Sequence, residues 1–446
     1  MKQLLISNAT VVNEGKIEQL DIVIDQGRID QIGPDLQNVP TKAQIDATGK
    51  HLLPGLIDDQ VHFREPGLTH KGDIAHESAA AVAGGITSFM EMPNCNPQTT
   101  NYAVLEEKYK LAASRSLANF SFYFGATNVN MELIKGLDPE SCCGIKVFMG
   151  ASTGNMLVDD PRILEQLFDY APILLAAHCE DTPMITDNEL MYRQRYGDEI
   201  PFKFHPQIRS AEACYKSSST AVALAKRYGT SLHVLHLTTE RELALFDDRP
   251  LAQKQITAEA CSHHLFFNEA DYAEKGALIK CNPAIKAKTD QEAIQQAVIN
   301  GVIDVIATDH APHTWEEKQN KHYMKAPSGL PLVQHSLQSL LEHYHNGLFS
   351  LELIVEKTSH AVAQRFQIKE RGYIREGYWA DLVLVDLNTP QTIAREANLS
   401  KCGWSPFDGY TFRSTVNSTL VNGELMYQNS KILSDQKGQR LLFNRG

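Results

Sequence analysis

Apolar and polar residues alternate over roughly the first fifty residues, with the period of two that is typical of β-strands burying one face. Examples are the runs at 20–25 and 29–33, which a turn at 26–28 separates. The same pattern returns near the end of the chain, at 380–386 and at 418–427, where an Asn-Gly turn lies inside the run. The two ends of the chain are therefore predicted to pair into one small β domain.

The middle of the chain has a different pattern, in which short apolar runs alternate with longer segments of helical periodicity. The segments 103–118, 211–228 and 289–300 are rich in Ala and straight-chain helix formers. Eight runs are predicted to be strands: 55–59, 86–91, 120–125, 144–148, 173–177, 231–235, 255–258 and 302–307. Eight repeats over about 310 residues favour a (β/α)8 barrel.

The predicted fold class is α/β, a (β/α)8 TIM-type barrel with a small β-sandwich domain built from both termini. The barrel is assigned to residues 53–367, and the composite sandwich to 1–52 plus 368–446. An open doubly wound sheet is the alternative, but it usually carries a Gly-rich first turn. The chain contains no G-x-G-x-x-G and no P-loop motif, which favours the barrel.

Composition and charge exclude several classes of function. Lys and Arg number 42 against 54 Asp and Glu, a net charge of −12, without a basic stripe for nucleic acid. No apolar run is long enough for a membrane span, and the first residues are too briefly apolar for a signal peptide. A cytoplasmic protein is expected. The 8 cysteines include no Cys-x-x-Cys, so they are predicted to be reduced and buried rather than disulfides or a thiolate zinc site.

In a barrel, active sites lie at the carboxyl ends of the strands. The predicted strands end at or near His62, Asn94, His178, His236 and Asp309. Each of these alone has an ordinary explanation as a hydrogen-bonded core or rim residue. Their joint occurrence at five strand ends instead favours one site with nitrogen and oxygen donors suited to zinc.

Lys146 lies between Ile145 and Val147 on a predicted buried strand. An unpaired ammonium in apolar surroundings costs several kcal/mol, so Lys146 needs an acidic partner or a modification that removes its charge. Carboxylation of its amine satisfies this need, because the product is an anion able to bridge two divalent ions.

Seven segments in chain order carry a family resemblance. They are 54–67 (Pro-Gly-Leu-Ile-Asp-Asp-Gln-Val-His-Phe-Arg-Glu-Pro-Gly), 91–94 (Glu-Met-Pro-Asn), 144–149 (Gly-Ile-Lys-Val-Phe-Met), 177–178 (Ala-His), 236–239 (His-Leu-Thr-Thr), 280–283 (Lys-Cys-Asn-Pro) and 308–313 (Thr-Asp-His-Ala-Pro-His). Together they resemble the dihydroorotases of the amidohydrolase superfamily. The likeness spans nearly the whole chain, including both terminal β segments.

The resemblance implies a role for each matching residue. One or two zinc ions would be held by His62, His178, His236, Asp309 and a carboxylated, bridging Lys146, with Asp309 also acting as the catalytic acid and base. Arg64, Asn94 and His313 would bind a substrate carboxylate, and Asn282, Ser328 and Gly329 the ring amides. His233 precedes His236 by three residues, and the family spacing favours His236 as the ligand.

One position departs from the family, whose members carry His-x-His where this chain has Gln60-Val61-His62. A neutral amide oxygen is a much poorer zinc donor than imidazole. Three outcomes follow: Gln60 binds weakly or through water while both metals persist, one metal is held firmly and one loosely, or the protein is catalytically silent. The chain retains Lys146, Arg64, Asp309 and the other matching residues, which argues against a catalytically silent protein.

The implied activity is the reversible cyclisation of N-carbamoyl-L-aspartate to L-dihydroorotate, with a small molecule as substrate and a homodimer as the assembly that the family suggests. A hydantoinase or allantoinase is the nearest alternative, and Arg64 with Asn94 argues against it, since a substrate without a carboxylate leaves them unpaired. An inactive scaffold resembling dihydroorotase is the alternative that Gln60 favours.

Two further features stay open at this level. The segment 150–154, Gly-Ala-Ser-Thr-Gly, fits the G-x-S-x-G motif of a serine nucleophile, but the residues after it read as a loop rather than the required helix. The segment 310–331 has little periodicity, and it is interpreted either as a mobile cover over the substrate or as a solvated surface loop.

Overall fold

The computed structural model describes residues 1–150 and 156–445. The strands are β1 (Lys2–Asn13), β2 (Lys16–Asp25), β3 (Arg28–Gly33), β4 (Thr41–Asp46), β5 (His51–Pro54), β6 (Leu56–Val61), β7 (Ile86–Glu91), β8 (Asn119–Phe122), β9 (Phe124–Gly125), β10 (Ile145–Phe148), β11 (Leu175–His178), β12 (Leu232–Val234), β13 (Ile256–Cys261), β14 (Val305–Ala307), β15 (Leu382–Asp386), β16 (Gln391–Thr392), β17 (Thr411–Phe412), β18 (Thr415–Val421), β19 (Glu424–Gln428) and β20 (Lys431–Ile432).

Helices separate most of the central strands. They are α1 (Ile74–Ala83), α2 (Tyr102–Arg115), α3 (Met131–Lys135), α4 (Pro161–Tyr170), α5 (Thr182–Tyr196), α6 (His205–Ile208), α7 (Ala211–Tyr228), α8 (Glu240–Leu243), α9 (Ser262–Phe266), α10 (Tyr272–Lys275), α11 (Lys288–Ile299), α12 (Trp315–Lys318), α13 (Ser336–His345), α14 (Leu351–Val355) and α15 (Ala361–Phe366). Within the described ranges, none of these helices combines the length and apolar character that crossing a membrane requires.

The central strands form the predicted barrel. Strands β6, β7 and β8 pair in parallel, and so do β9 to β14 in chain order. The ring closes beside β6 and β14, where the His62 amide donates to the His310 carbonyl at 2.7 Å. All carboxyl ends of a parallel barrel meet at one mouth, so the fold confirms the geometric premise of the sequence argument.

The boundaries of several elements follow local sequence signals. Helix α7 has the predicted bounds because the Ser210 side chain caps its first turn and Gly229 ends it in a left-handed conformation, φ +75°. The predicted strand 302–307 is shorter than expected. Asp304 instead turns its side chain to the Ala258 amide at 3.0 Å and to Lys254 Nζ at 2.8 Å, and only β14 remains extended.

The two ends of the chain form one mixed sheet, as predicted. Its strand order is β20-β19-β18-β15-β5-β1-β2-β3, with β4 also pairing with β1. Strand β1 pairs in parallel with β4 and β5, whereas the other pairs in this sheet are antiparallel. The division at 52/53 and 367/368 stays a prediction. All eight cysteines are free and buried, as expected.

A buried ion pair joins this sheet to the barrel. Arg371 pairs with Asp381, both side chains being 3% exposed, and Asp381 also accepts from Asn119 of β8 at 3.2 Å and from the Asn422 amide at 2.7 Å. Removing one partner of a buried pair leaves the other charge uncompensated. Loss of either side chain is therefore expected to destabilise the fold where the terminal sheet contacts the barrel.

Arg371→Met is expected to lower the free energy of unfolding by about 3–5 kcal/mol, because Asp381 then lies buried without its cation. Urea unfolding followed by tryptophan fluorescence measures this change. The matched control is Arg249→Met, which breaks the exposed pair with Asp247 and should change stability by less than ~0.5 kcal/mol. An unfolding midpoint equal to wild type in Arg371→Met contradicts the prediction.

Candidate metal centre and active site

One small cavity at the mouth of the barrel brings together side chains that are far apart in the chain. It is lined by Gln60, His62, Arg64, Asn94, Lys146, Phe148, His178, His236, Asn282, Asp309, Ala311, Ser328 and Gly329. Every predicted site residue except His313 lines this cavity, and His313 Nε2 lies 3.2 Å from Arg64 Nη2. The structure therefore brings the predicted site residues together in one place.

Three non-glycine residues of the cavity have left-handed backbone conformations. The φ angles are +70° at Arg64, +42° at His236 and +50° at Asp309. Such conformations cost of order 1–3 kcal/mol each for non-glycine residues and concentrate at functional sites. The His236 amide is held by the Glu259 carboxylate at 3.0 Å, which helps to compensate the strain. The strands therefore end in turns that direct these side chains into the cavity.

His62 and Asp309 face each other in a way that fits a metal ion. His62 Nδ1 lies 2.8 Å from Asn94 Oδ1, an acceptor, so this nitrogen carries the proton. Burial lowers the pKa of His62, with Asp309 opposing, and a neutral ring then points the lone pair of Nε2 at Asp309 Oδ1, 3.2 Å away. Two electron-pair donors at this distance repel unless a cation lies between or beside them.

His178 and His236 form a second pair of converging donors. His178 Nδ1 lies 2.9 Å from His236 Nε2, and His178 Nε2 lies 3.1 Å from Glu180 Oε2. Burial is the largest cause that lowers the pKa of both rings, so both are neutral. A carboxylate on the outer nitrogen is the usual partner of a metal-binding histidine, and Glu180 is itself paired with Arg209.

Lys146 is almost fully buried, at 1% exposure. Burial lowers the pKa of its amine to about 8, although Asp309 and Glu259 act in the opposite direction. Its Nζ lies 4.7 Å from the centre of the Phe148 ring, and no carboxylate within the described residues forms an ion pair with it. Near physiological pH the neutral fraction of this amine is therefore much larger than that of an exposed lysine, and carboxylation requires the neutral form.

Gln60 occupies the position at which the family carries a histidine. Its side chain is 1% exposed, and Nε2 donates to Asp309 Oδ1 at 3.1 Å. Its Oε1 faces Cys261 Sγ at 3.9 Å. In this arrangement Gln60 orients Asp309 by a hydrogen bond, which is a role that needs no metal contact.

The other end of the cavity is cationic. Arg64 is 3% exposed and donates from Nε to the Pro312 carbonyl at 3.1 Å. His313 lies against it, with Nδ1 3.1 Å from Lys71 Nζ and Nε2 3.0 Å from the Ser328 carbonyl. Burial, reinforced by Arg64 and Lys71, lowers the pKa of His313 to about 3, against Glu317. Across the described ranges of the chain, Arg64 has no carboxylate within ion-pair distance.

His233 does not line the cavity, consistent with the preference for His236. Its Nε2 lies 3.2 Å from Asp59 Oδ2 and 3.7 Å from Glu259 Oε2, and all three side chains are fully buried. The pKa of His233 is raised by the two carboxylates, although burial opposes them. The three side chains form a buried cluster on β12, β6 and β13, separate from the residues that line the cavity.

The segment 310–331 is not a simple solvated surface loop. Lys318 is 1% exposed, and its Nζ donates to the carbonyls of Lys280, Pro327 and Gly329 at 3.1, 3.1 and 2.9 Å. These contacts fix the Ser328-Gly329 backbone against the cavity. The surface-loop interpretation is therefore wrong for this part of the segment. The G-x-S-x-G motif at 150–154 lies, from residue 151 onward, outside the described residues.

Sequence reasoning missed three supporting residues. Glu180 follows His178 by two positions, a spacing that suggests a partner for the ring but does not prove contact. Glu259 contacts His236, and Lys71 contacts His313, each from a different segment of the chain. No local sequence pattern predicts these contacts.

Comparison with known proteins gives a consistent family. The chain matches the model of the amidohydrolase family over residues 51–426. It is 31% identical over 448 residues to an allantoinase from Solibacter usitatus, covering 99% of this chain and 97% of the relative. It is also 31% identical over 444 residues to a dihydroorotase from Methanosarcina acetivorans, covering 97% and 93%.

Solved structures agree with this relationship. An L-hydantoinase (dihydropyrimidinase) from Arthrobacter aurescens superimposes with a TM-score of 0.94 at 25% identity, covering 99% of this chain and 100% of that chain. A dihydropyrimidinase from Brevibacillus agri superimposes with a TM-score of 0.89 at 25% identity, with both chains fully covered. The family match and the full-length relatives show that this chain belongs to the amidohydrolase family and is a metal-dependent hydrolase of the cyclic-amide type.

Proposed function

We propose that this protein is a dihydroorotase, which interconverts N-carbamoyl-L-aspartate and L-dihydroorotate in de novo pyrimidine biosynthesis. The main support for the proposal is the environment of the Arg64 side chain. This side chain is a buried guanidinium at the cavity, and within the described part of the chain no carboxylate lies within ion-pair distance of it, although Asp309, Glu91 and Glu317 act on it from further away. A substrate carboxylate would complete a two-pronged ion pair there.

The alternative cyclic amides lack this group. Hydantoin and allantoin carry no carboxylate, so their binding would desolvate Arg64 further without a partner, which is costly. Asn94 also lines the cavity, and His313 backs Arg64. The three residues together supply a cationic, hydrogen-bonding end that suits the anionic side group of dihydroorotate.

The donor set supports a metal centre of zinc, with one or two ions. His62, His178, His236 and Asp309 would hold it, together with Lys146 as a bridging carbamate. The carbamate forms when the neutral amine of Lys146 adds to CO2 and releases one proton, and the lowered pKa of Lys146 favours this step. When bound, zinc polarises the amide carbonyl and makes a bound water acidic near neutral pH.

Asp309 would move the proton. Its Oδ1 lies within 3.2 Å of both Gln60 Nε2 and His62 Nε2, so the carboxylate is held at a defined place in the cavity. In ring opening it takes a proton from the attacking water and passes it to the departing nitrogen, acting as base and then as acid. In ring closure the order is reversed. Asn282 and the Ser328-Gly329 backbone line the cavity and would hold the ring amides.

The test is a direct comparison of substrates with metal analysis. Purified protein should contain zinc by elemental analysis and should open dihydroorotate, followed by ultraviolet absorbance, faster than hydantoin or allantoin. A preference for allantoin would support the allantoinase-like alternative instead. Metal-free protein without turnover of any cyclic amide would support the inactive scaffold that Gln60 leaves open. The homodimer suggested by the family is tested separately by sedimentation.

A further inference from the structure

A second group of metal-ligand side chains lies at the carboxyl end of β13, outside the cavity. Cys261 is the last residue of β13, and His263 and His264 belong to the short helix α9 that follows. Cys261 Sγ and one ring nitrogen of each histidine lie within 4.8 Å of one another, and all three residues are buried. The proposed dihydroorotase chemistry uses none of them.

The histidines carry polar atoms that the described protein leaves unsatisfied. By distance and angle, both ring nitrogens of His263 lack a hydrogen-bond partner among the described residues, as does His264 Nδ1, although the Thr308 backbone acts on the His263 ring. His264 Nε2 lies 3.1 Å from the Pro283 carbonyl, an acceptor, so Nε2 carries the proton and Nδ1 presents a lone pair. Buried polar atoms without partners number only a few per 100 residues in native proteins, so three on adjacent side chains point to a missing ligand.

The surroundings favour a cation. Cys261 Sγ lies 3.5 Å from Glu259 Oε1 and 3.9 Å from Gln60 Oε1. Carboxyl and amide oxygens are electron-pair donors toward a cation. A divalent ion bound at Cys261 would displace the thiol proton, as metal ions do when thiolates coordinate them.

We propose that Cys261, His263 and His264 bind one divalent transition-metal ion, with zinc as the best match to a sulfur and two imidazole nitrogens. Binding releases the Cys261 thiol proton to solvent and forms one metal–sulfur and two metal–nitrogen bonds. The site lies beside Gln60, the position at which this chain departs from His-x-His. It is distinct from the cavity centre, whose candidate ligands include no sulfur, and it does not depend on which cyclic amide is the substrate.

No second cysteine lies within three residues of Cys261 in the sequence, so the cysteine spacing did not predict a thiolate zinc site here. A thiolate zinc site is usually predicted from a Cys-x-x-Cys pattern. Here the proposed ligand set contains one cysteine and two histidines, which follow it by two and three residues. The alternative is that Cys261 is only a small buried side chain and that the two rings pack on each other, with centroids 3.9 Å apart. The two hypotheses predict different absorption spectra, because only a metal-bound Cys261 thiolate gives a thiolate-to-cobalt transition.

Full-length protein is stripped of metal, reconstituted with Co2+ and examined for the near-ultraviolet absorption of a thiolate-to-cobalt transition. Wild type should show this absorption, and Cys261→Ser should lose it together with about one metal ion per chain by elemental analysis. Lys146→Ala should keep the absorption, because it alters only the cavity centre. Cys179→Ser should also keep it, although Cys179 lies next to His178.

Two results would overturn the proposal. One is wild-type cobalt protein without a thiolate transition, which needs no variant and so does not depend on whether Cys261→Ser folds. The other is loss of the transition in Cys179→Ser but not in Cys261→Ser, which would make Cys179 the sulfur ligand instead of Cys261. His263→Asn provides a second variant, and it should lower the metal content in the same way as Cys261→Ser.

Discussion

Lys146→Ala should lower the rate of dihydroorotate opening by about 10³-fold or more. This is somewhat more than enzymes typically lose when one group that stabilises the transition-state charge is removed. Lys146 lies within β10, almost fully buried at the cavity, and its carbamate is the proposed bridge between ligands from other strands. Alanine removes the bridge and leaves space. Steady-state ultraviolet assays with and without added short-chain carboxylic acids measure the effect.

Added carboxylic acids such as acetate should partly restore turnover in Lys146→Ala, because they can occupy the space and supply the missing carboxylate. They should not stimulate wild type. The matched control is Lys135→Ala, which removes an exposed lysine on α3 and should leave the rate unchanged. Full activity of unsupplemented Lys146→Ala would refute the bridging role.

Arg64→Met should lower kcat/KM for dihydroorotate by roughly 30-fold to several thousandfold, since truncating one member of a buried charge pair costs about 2–5 kcal/mol. Most of the loss should be an increase in KM, because Arg64 binds the side carboxylate and not the scissile amide. Arg64→Lys should recover little of it, because an ammonium cannot reproduce the two-pronged contact.

The control for Arg64→Met is its metal content, which should equal that of wild type because Arg64 is not a proposed ligand. Residual turnover of hydantoin, where measurable, should not fall in parallel, since hydantoin has no carboxylate for Arg64 to bind. Unchanged kcat/KM for dihydroorotate in Arg64→Met would remove the main support for the dihydroorotase proposal. The protein would then fit better among the allantoinase-like enzymes.

Much of the fold was predictable because its signals are local. Strand β7 has the predicted bounds, and α7 begins and ends where Ser210 and Gly229 place it. The positions of the candidate ligands followed from one geometric rule, that parallel barrel strands end at the same mouth. His178 ends β11, and His236 and Asp309 follow β12 and β14 by two residues, so strand prediction alone brought them together.

Other features depend on partners that are distant in the chain. The predicted strand 120–125 divides at Tyr123, whose hydroxyl donates to the Asp59 carbonyl at 3.0 Å. Lys318 looks like a surface residue in sequence, but its ammonium is buried among three carbonyls. The support of His236 by Glu259 and the unsatisfied rings at 263–264 likewise arise only from tertiary packing. Local periodicity carries no information about such contacts.

The central claim is that His62, Lys146, His178, His236 and Asp309 surround a metal centre at the mouth of the barrel. Diffraction data collected on both sides of the zinc absorption edge, from crystals of the purified protein, test it most directly. The account predicts an anomalous peak in the cavity at about 2.0–2.1 Å from the facing nitrogens of His178 and His236, with extra density on Lys146 Nζ. A zinc-loaded crystal with no peak in that cavity and an unmodified Lys146 would contradict it.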